Sequence, residues 1–340
     1  MGVSNIFDKY IGKSSQIFRN FGRELFEPNY KPEKLIHREF ELDTLAQKLA
    51  PSLHGETPSD MFIYGLPGTG KTITIQFLEK DMKEAYERYK LDQNLRLNNN
   101  HLTEVVTKYI NCQIVNTQYS IFRDIAHQFI ENKDEELPSI GYSLERVYRT
   151  ALEFLDRKKR ILILILDELD KINERYHGEI LARLTTMKAD LKKSAVSLIL
   201  ISNKDFLREL DPSIKSRLNY EHIVFKPYTA PQIYEILKQR AEKAFHPTAI
   251  NDEVIQMIAC IAVQEGSDVR RALEMLKVTA EVAERQNCSK FTTEHLEIAC
   301  KNIDMDVMVE AIKSLDLHQK IVLYCIVVCT EHIIKCGNTL

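Results

Sequence analysis

The sequence predicts an α/β fold built on a parallel sheet and followed by an all-helical region. Three apolar segments, at residues 61–64, 161–166 and 195–201, read as buried strands and are separated by helical patterns. From residue 229 onward only helical patterns recur, and they predict helices at 230–245, 251–264, 268–286, 293–302, 305–314 and 316–333. Strands that alternate with helices and then give way to helices alone are typical of an α/β domain capped by a helical lid.

Length, charge and cysteine content narrow the class of protein. The 340 residues are enough for two domains. The formal net charge of −3 gives no global attraction to nucleic acid or membranes, so any DNA contact must come from a local patch. The seven cysteines have no paired spacing, which is typical of a reducing compartment. We therefore expect a cytoplasmic protein with no membrane partner.

The first elements lead into a glycine-rich loop. Residues 1–30 show no clear period, and we expect a loosely structured N-terminal arm there. Apolar residues at helical spacing then predict an amphipathic helix over residues 36–53, followed by the first strand. Beyond the loop a helix is predicted as far as Lys90, with a polar connection over residues 91–101.

The loop itself, residues 65–72, reads GLPGTGKT and fits the phosphate-loop pattern at every fixed position. Its glycines allow turns that point backbone N–H groups inward at a triphosphate. A plain turn between strand and helix would not require Lys-Thr after the last glycine. We expect Lys71 to reach the β- and γ-phosphates and the Thr72 hydroxyl to bind Mg²⁺. The predicted ATP- or ADP-binding residues of the loop are Gly65, Leu66, Pro67, Gly68, Thr69, Gly70, Lys71 and Thr72.

The next two strands carry the acidic chemistry. Residues 104–112 alternate like a strand and lie between the phosphate loop and a buried strand that ends in Asp167-Glu168, which is the arrangement of additional-strand NTPases. Two adjacent carboxylates at the end of a buried strand are costly for stability alone. We expect Asp167 to hold Mg²⁺ and Glu168 to orient and deprotonate the attacking water. Asp170 is given a solvated or capping role.

An amide follows the strand at residues 195–201. Asn203 is placed to position the hydrolytic water beside Glu168, and the alternative is a helix cap. Residues 222–225 supply a fifth short strand, so the predicted sheet has five strands.

Two arginines outside this set are candidates for sensing the nucleotide. Arg270 opens a lid helix and is expected to contact the γ-phosphate, whereas Arg217 is a candidate arginine finger toward a neighbouring subunit. The alternative for each is a surface arginine in an ion pair. Tyr228 and Arg240 fit an adenosine pocket, with core packing as the alternative for Tyr228.

With these motifs placed, the chain resembles an AAA+ ATPase of the archaeal replication-initiator family, the single-chain relatives of the eukaryotic origin recognition complex and its helicase-loading partner. The resemblance covers nearly the whole chain. The block from KPEKLIHREFEL to GLPGTGKT, including Arg38, is similar to the family's opening block, and YINCQIVNTQYSIFRDIAHQFI resembles its initiator-specific segment. ILDELDKI resembles its acidic box, LISN its first sensor, FKPYTAPQIYEILKQR its post-sensor block and DVRRALEMLKVTAEVAE its second sensor.

The resemblance implies more than the residues alone. It implies a weak ATPase that uses ATP binding and slow hydrolysis as a switch, with ATP or ADP and Mg²⁺ as cofactors. It implies double-stranded origin DNA, the replicative MCM helicase and other initiator subunits as partners. Residues 116–130 would present a helix to DNA, and an exposed helix face is the alternative. The candidate DNA contacts are Gln118, Tyr119 and Arg123.

The same resemblance divides the chain. Residues 31–228 would form the AAA+ domain, 229–303 the helical lid and 304–340 the beginning of an incomplete winged-helix domain. A helix-turn-helix needs a second helix, so we expect weaker DNA affinity than in a complete initiator. Ser213-Ile214 depart from the family's usual arginine and valine, which leaves the finger role of Arg217 open. The alternative functions are a clamp-loader-like AAA+ ATPase without origin specificity and a truncated regulatory remnant.

Overall fold

The computed structural model describes residues 15–27, 29–97, 103–130, 137–210 and 212–337. The chain forms two compact units. An α/β unit contains Lys31–Gln232 and Ala262–Val269, and a helical unit contains Met1–Tyr30, Ile233–Ile261 and Arg270–Leu340. The helical unit thus includes the N-terminal segment, for which the sequence predicted a separate arm.

The α/β unit is built on the predicted five-stranded parallel sheet. Its strands are β1 (Asp60–Tyr64), β2 (Glu104–Asn111), β3 (Arg160–Asp167), β4 (Ala195–Ser202) and β5 (Tyr220–Val224). They lie in the order β2-β3-β4-β1-β5, and every neighbouring pair is parallel. The carboxyl ends of parallel strands meet at one edge, where ligands bind in open α/β sheets. The residues after β1, β3 and β4 therefore lie together.

Six α-helices accompany these strands in the described part of the α/β unit. They are α1 (Glu39–Leu49), α2 (Lys71–Leu97), α3 (Gln118–His127), α4 (Leu144–Asp156), α5 (Glu174–Asp190) and α6 (Pro212–Arg217). The α2 helix continues into the segment predicted to be a polar connection, residues 91–101, of which 98–101 lie outside the described residues.

The continuous apolar run of β3 is explained by two apolar layers. Successive side chains of a strand point to opposite faces of the sheet. Leu162, Leu164 and Leu166 belong to a buried cluster with residues of α3, α4 and α5. Ile161, Ile163 and Ile165 belong to a second cluster, with residues of α1 and α2. Because both faces are covered, β3 lacks the polar alternation of a half-exposed strand.

Five helices follow, as the helical patterns predicted. They are α7 (Ala230–Ala244), α8 (Asp252–Gln264), α9 (Val269–Arg285), α10 (Thr293–Ser314) and α11 (Leu317–Gly337). The two short helices predicted at residues 293–302 and 305–314 are one helix, α10. Among the described residues, no helix has the length and apolarity needed to cross a bilayer.

The described residues of the N-terminal segment are not loosely structured. Phe18 forms an antiparallel bridge with Phe245, just after α7, and Ile17 is fully buried. The backbone N–H of Arg19 donates to the carbonyl of Ala244 at 2.9 Å. The expectation of a loose arm is thus wrong for residues 15–27, because Ile17 and Phe18 are buried within the helical unit and the backbone pairs with the end of α7. Residues 1–14 lie outside the described part.

Candidate nucleotide site

The candidate site begins with the glycines of the phosphate loop, between β1 and α2. Gly68 and Gly70 have φ angles of 72° and 87°, a region that favours glycine. A Cβ on Gly68 would lie 2.0 Å from Oδ1 of Asp268, and one on Gly70 would lie 2.7 Å from the hydroxyl of Tyr228. Backbone conformation and close neighbours therefore both require glycine at these two positions.

Lys71, the first residue of α2, is held against this loop. Its Nζ donates to the carbonyls of Gly65 at 2.7 Å and Leu66 at 2.9 Å. It also donates to Oδ1 of Asn203 at 2.9 Å. The ammonium is buried, so these oxygens stabilise its charge. The structure thus brings together the phosphate-loop lysine and the amide at the end of β4.

The carboxylate of Asp167 accepts three hydrogen bonds. The Thr72 hydroxyl donates to its Oδ2 at 2.8 Å, and the Tyr109 hydroxyl donates to the same oxygen at 2.7 Å. The backbone N–H of Glu168 donates to Oδ1 at 2.8 Å. The two side chains predicted to hold Mg²⁺, Thr72 and Asp167, are therefore in direct contact.

Sequence reasoning missed Tyr109. This residue lies on β2 and pairs with Ile165, the last but one residue in the apolar run of β3. Burial, together with the nearby carboxylate of Asp167, raises the pKa of the Tyr109 phenol, which therefore stays protonated as a donor. The sequence signal that could have identified Tyr109 is a hydroxyl near the end of β2, the strand beside β3 with its acidic end.

Glu168 has an unusual backbone and an unpaired oxygen. Its φ angle is 55°, in the left-handed region that non-glycine residues rarely adopt. Its buried Oε2 has no hydrogen-bond partner among the described residues. Both features are costly, and such costs are concentrated at functional sites. The geometry leaves this oxygen available to accept a proton.

Asp170, for which a solvated or capping role was expected, accepts a backbone hydrogen bond at the end of β4. One of its oxygens, Oδ1, accepts the backbone N–H of Asn203 at 2.9 Å. The Ser202 hydroxyl lies 3.3 Å from the same oxygen and donates to the carbonyl of Lys204 at 2.7 Å. The Nδ2 of Asn203 lies 3.5 Å from Oδ1 and 3.4 Å from Oδ2. Burial alone would raise the pKa of Asp170, but its hydrogen bonds, with those from Asn203 foremost, together lower the pKa. The carboxylate joins the end of β3 to the end of β4.

Arg38, to which the sequence assigned no role, hydrogen-bonds the backbone of the phosphate loop. Its Nε and Nη2 donate to the carbonyl of Thr69 at 3.0 Å and 2.8 Å, and Nη2 also reaches the carbonyl of Lys226 at 2.7 Å. Its guanidinium lies 3.9 Å from the ring centroid of Tyr228. Tyr228 is buried, so the structure shows the packing alternative for this ring, and its adenosine contact stays a prediction.

Three candidate arginines lie on other elements. Arg240 donates to the carbonyl of Leu25, and its guanidinium lies 4.2 Å from the ring centroid of Tyr30, within the helical unit. Arg270 is in the first turn of α9, also in the helical unit. Arg217 is the exposed last residue of α6. Their roles toward a nucleotide stay predictions.

The candidate DNA contacts lie on α3, which Thr117 caps by accepting from the backbone of Ser120. Gln118 donates to Glu179 of α5 at 2.7 Å, and the Tyr119 hydroxyl donates to the carbonyl of Pro138 at 2.9 Å. Arg123 lies 3.5 Å from the carboxylate of Asp124 and is 23% exposed. The side chains thus have contacts within the α/β unit, and their DNA role stays a prediction.

The residues at the edge of the sheet fit a Mg²⁺-nucleotide. The loop glycines form a cradle that side chains would fill, and Lys71 supplies a cation beside it. Thr72 and Asp167 offer the hydroxyl and carboxylate oxygens that Mg²⁺ prefers. The buried unpaired oxygen of Glu168 belongs to a group able to deprotonate water. This donor set is that of phosphoryl transfer to water.

Comparisons with known families and proteins found similar sequences over most of the chain. The family model of the Cdc6 AAA+ ATPase-type lid domain matches residues 234–301, and the model of the AAA domain matches residues 54–211. An ORC1-type DNA replication protein of Thermococcus kodakarensis is 40% identical over 331 residues, which are 97% of this chain and 76% of that protein.

Two solved structures are similar over most of the chain. The Aeropyrum pernix ORC1 protein in complex with DNA is 36% identical, with a TM-score of 0.75 over 93% of this chain and 78% of that one. Cdc6p from Pyrobaculum aerophilum is 26% identical, with a TM-score of 0.68 over 90% of this chain and 77% of that one. The matched part includes both the sheet and the helices that follow it.

Proposed function

The chain belongs to the family of ORC1-type DNA replication proteins, and we propose that it is an ATP-dependent initiator that binds duplex origin DNA and helps to load the replicative MCM helicase. The resemblance predicted from the sequence is therefore confirmed. The observation that carries the proposed ATP switch is the convergence of Lys71, Thr72 and Asp167 at the edge of the sheet. ATP binding and slow hydrolysis at this edge would set the state of the protein.

In this proposal each side chain has one task. Lys71 binds the β- and γ-phosphates, and Thr72 and Asp167 hold Mg²⁺. When bound, Mg²⁺ offsets the negative charge of the phosphate oxygens. Glu168 accepts a proton from the attacking water through its unpaired oxygen. Asn203 lies beside Lys71, where its amide orients groups at the γ-phosphate.

The variant Glu168→Gln tests the hydrolytic role. An amide keeps the size of the side chain but does not accept the proton, so we expect nearly unchanged ATP binding and a loss of about 100-fold or more in hydrolysis. Single-turnover hydrolysis and fluorescent-nucleotide binding measure the two quantities. Glu84→Gln, a change at an exposed position on α2, is the matched control. Equal hydrolysis by Glu168→Gln and wild type would contradict the role of Glu168.

Titration of labelled duplex DNA tests the DNA-binding proposal. We expect an origin duplex to bind more tightly than a shuffled duplex, with a preference that survives moderate salt. If Arg123 contacts one phosphate, Arg123→Ala should reduce the slope of log affinity against log salt by about 0.9. Arg149→Ala, an exposed position on α4, is the control. No origin preference at either salt concentration would favour the clamp-loader-like alternative.

Helicase loading and the nucleotide switch are tested together. In NTPases that act as switches, contacts with the γ-phosphate order a segment of the protein, and that segment is released when only ADP remains. We therefore expect the amount of MCM helicase retained on an origin duplex to differ between ATP and ADP. Helicase loading by this chain would be contradicted if the duplex retains the same amount of helicase with ATP and with ADP, and no more than it retains without this protein.

A further inference from the structure

Asp170 carries an inference that rests on the proposed function and deepens it. We propose that Asp170 is a positioning residue for ATP hydrolysis, whose carboxylate fixes the orientation of the Asn203 amide beside Lys71. Asp170 follows β3 and Asn203 follows β4, so the contact joins the ends of two neighbouring strands. The two residues are 33 positions apart in the sequence.

The first part of the contact fixes the backbone. The hydrogen bond from the Asn203 N–H to Oδ1 of Asp170, at 2.9 Å, has ordinary length for a charge-assisted bond. The Ser202 hydroxyl lies 3.3 Å from the same oxygen but donates to the carbonyl of Lys204 at 2.7 Å. The carboxylate therefore holds the backbone of Asn203, the residue that follows β4.

The second part fixes the side-chain amide. An amide has an oxygen that only accepts hydrogen bonds and a nitrogen that only donates them. The nitrogen of Asn203 faces the Asp170 carboxylate at 3.4 Å and 3.5 Å, and its oxygen faces the Lys71 ammonium at 2.9 Å. The reversed amide would place oxygen against a carboxylate and nitrogen against an ammonium. Only one of the two orientations is therefore compatible with both charged neighbours.

Asn203 links Asp170 to the phosphate loop because its side-chain oxygen contacts Lys71. The Asn203 oxygen accepts from the Lys71 ammonium, as do the carbonyls of Gly65 and Leu66. Burial raises the pKa of Asp170, but its hydrogen bonds, with those from Asn203 foremost, lower the pKa overall, so the carboxylate is charged at neutral pH. The hydrogen bonds from Asn203 to Asp170 thus orient the amide, and the amide in turn contacts Lys71.

A double-mutant cycle tests this role. We expect single-turnover hydrolysis at saturating ATP to fall about tenfold in Asp170→Ala, with ATP affinity changed much less. If Asp170 acts only through Asn203, the double variant Asp170→Ala/Asn203→Ala should hydrolyse ATP at the rate of Asn203→Ala alone. Losses that multiply in the double variant would overturn the inference, as would an unchanged rate in Asp170→Ala.

Two further variants separate positioning from general structural damage. Asp170→Asn retains the shape but offers the Asn203 amide either orientation, so it should lose activity with little change in thermal stability. Asp156→Ala is the matched control, since Asp156 accepts the backbone N–H groups of Lys192, Lys193 and Ser194 at the opposite ends of the same strands. It should lose stability and retain the rate. A rate loss in Asp156→Ala equal to that in Asp170→Ala would overturn the inference.

A spectroscopic readout is independent of hydrolysis. In protein labelled with ¹⁵N-asparagine, the side-chain NH₂ signals of Asn203 are identified by their loss in Asn203→Ala. They should shift in Asp170→Ala and stay in place in Asp156→Ala, and unshifted signals in Asp170→Ala would overturn the inference. A wild type that binds but does not hydrolyse ATP would contradict the ATP switch, while the NH₂ shift would still show that Asp170 orients Asn203.

Discussion

At the scale of single residues, the candidate metal ligand is held in place by its neighbours. Asp167 accepts from Thr72, Tyr109 and its own neighbour Glu168, so both carboxylate oxygens have a donor. If Mg²⁺ takes the place of the Thr72 hydrogen bond, Tyr109 still restrains the carboxylate. Outer partners of this kind orient metal ligands, and their loss commonly costs 10- to 100-fold in metal affinity or activity.

Tyr109→Phe is the prediction at this scale. Removal of the hydroxyl leaves Asp167 without one donor while the ring still packs, so we expect the Mg²⁺ concentration needed for half-maximal nucleotide binding to rise about tenfold. Fluorescent-nucleotide binding, titrated with Mg²⁺, measures this shift.

Tyr86→Phe is the matched control for that change. The Tyr86 hydroxyl donates to the carbonyl of Thr103, ahead of the amino end of β2, at 3.2 Å. Its removal should leave the Mg²⁺ dependence unchanged. An identical Mg²⁺ dependence in Tyr109→Phe and wild type would show that the hydroxyl does not restrain the metal ligand.

At the scale of elements, the N-terminal segment is part of the helical unit. Phe18 packs edge-on against Phe245, with ring centroids 5.1 Å apart, and Phe26 stacks on the same ring at 5.5 Å. Gly22 passes so close to α7 that a Cβ would lie 2.2 Å from the carbonyl oxygen of Ala244. The segment thus contributes apolar burial that α7 and its neighbours would otherwise lack.

Phe18→Ala is expected to destabilise the helical unit. Truncation of a buried phenylalanine removes apolar burial and leaves a cavity, which together cost about 3–5 kcal/mol. Urea denaturation followed by circular dichroism measures the change. Phe21→Ala is the control, because Phe21 belongs to the same segment but is 77% exposed. If both variants lose the same stability, the segment does not pack as the structure shows.

At the scale of the whole molecule, the predicted nucleotide contacts are divided between two units. The phosphate loop and acidic residues belong to the α/β unit, whereas Arg240 and Arg270 belong to the helical unit. A ligand that binds only the folded state stabilises it by mass action, by about 4 kcal/mol at a thousand times its dissociation constant. Nucleotide binding should therefore be visible in thermal unfolding of the entire chain.

We expect saturating Mg²⁺-ATP to raise the melting temperature of the wild type by several degrees. Lys71→Ala should abolish the increase because the phosphates lose their main cationic contact. Differential scanning fluorimetry measures both. Lys80→Ala, a change at an exposed position on α2, should keep the full increase. A full increase in Lys71→Ala would contradict the placement of the triphosphate at the loop.

The sequence by itself determined the features whose functional residues are neighbours in the chain. The phosphate loop, the acidic pair after β3 and the amide after β4 were identified because each depends on a short run of neighbouring residues. Strands β1, β3 and β4 followed from apolar runs, β2 from alternation and β5 from a short apolar segment, and all of these patterns are local in the sequence. In contrast, α5 was missed and α10 was divided in two, because tertiary packing overrides local patterns at such positions.

Only the tertiary structure decided which side chains support these motifs. Tyr109 and Asp167 are 58 positions apart, Asp170 and Asn203 33, and Arg38 and Thr69 31. No local pattern pairs them, because their contacts arise from the order in which parallel strands and loops assemble at one edge of the sheet. The motif residues are read from local spacing, whereas the partners that orient them depend on contacts between distant segments that form only when the chain folds.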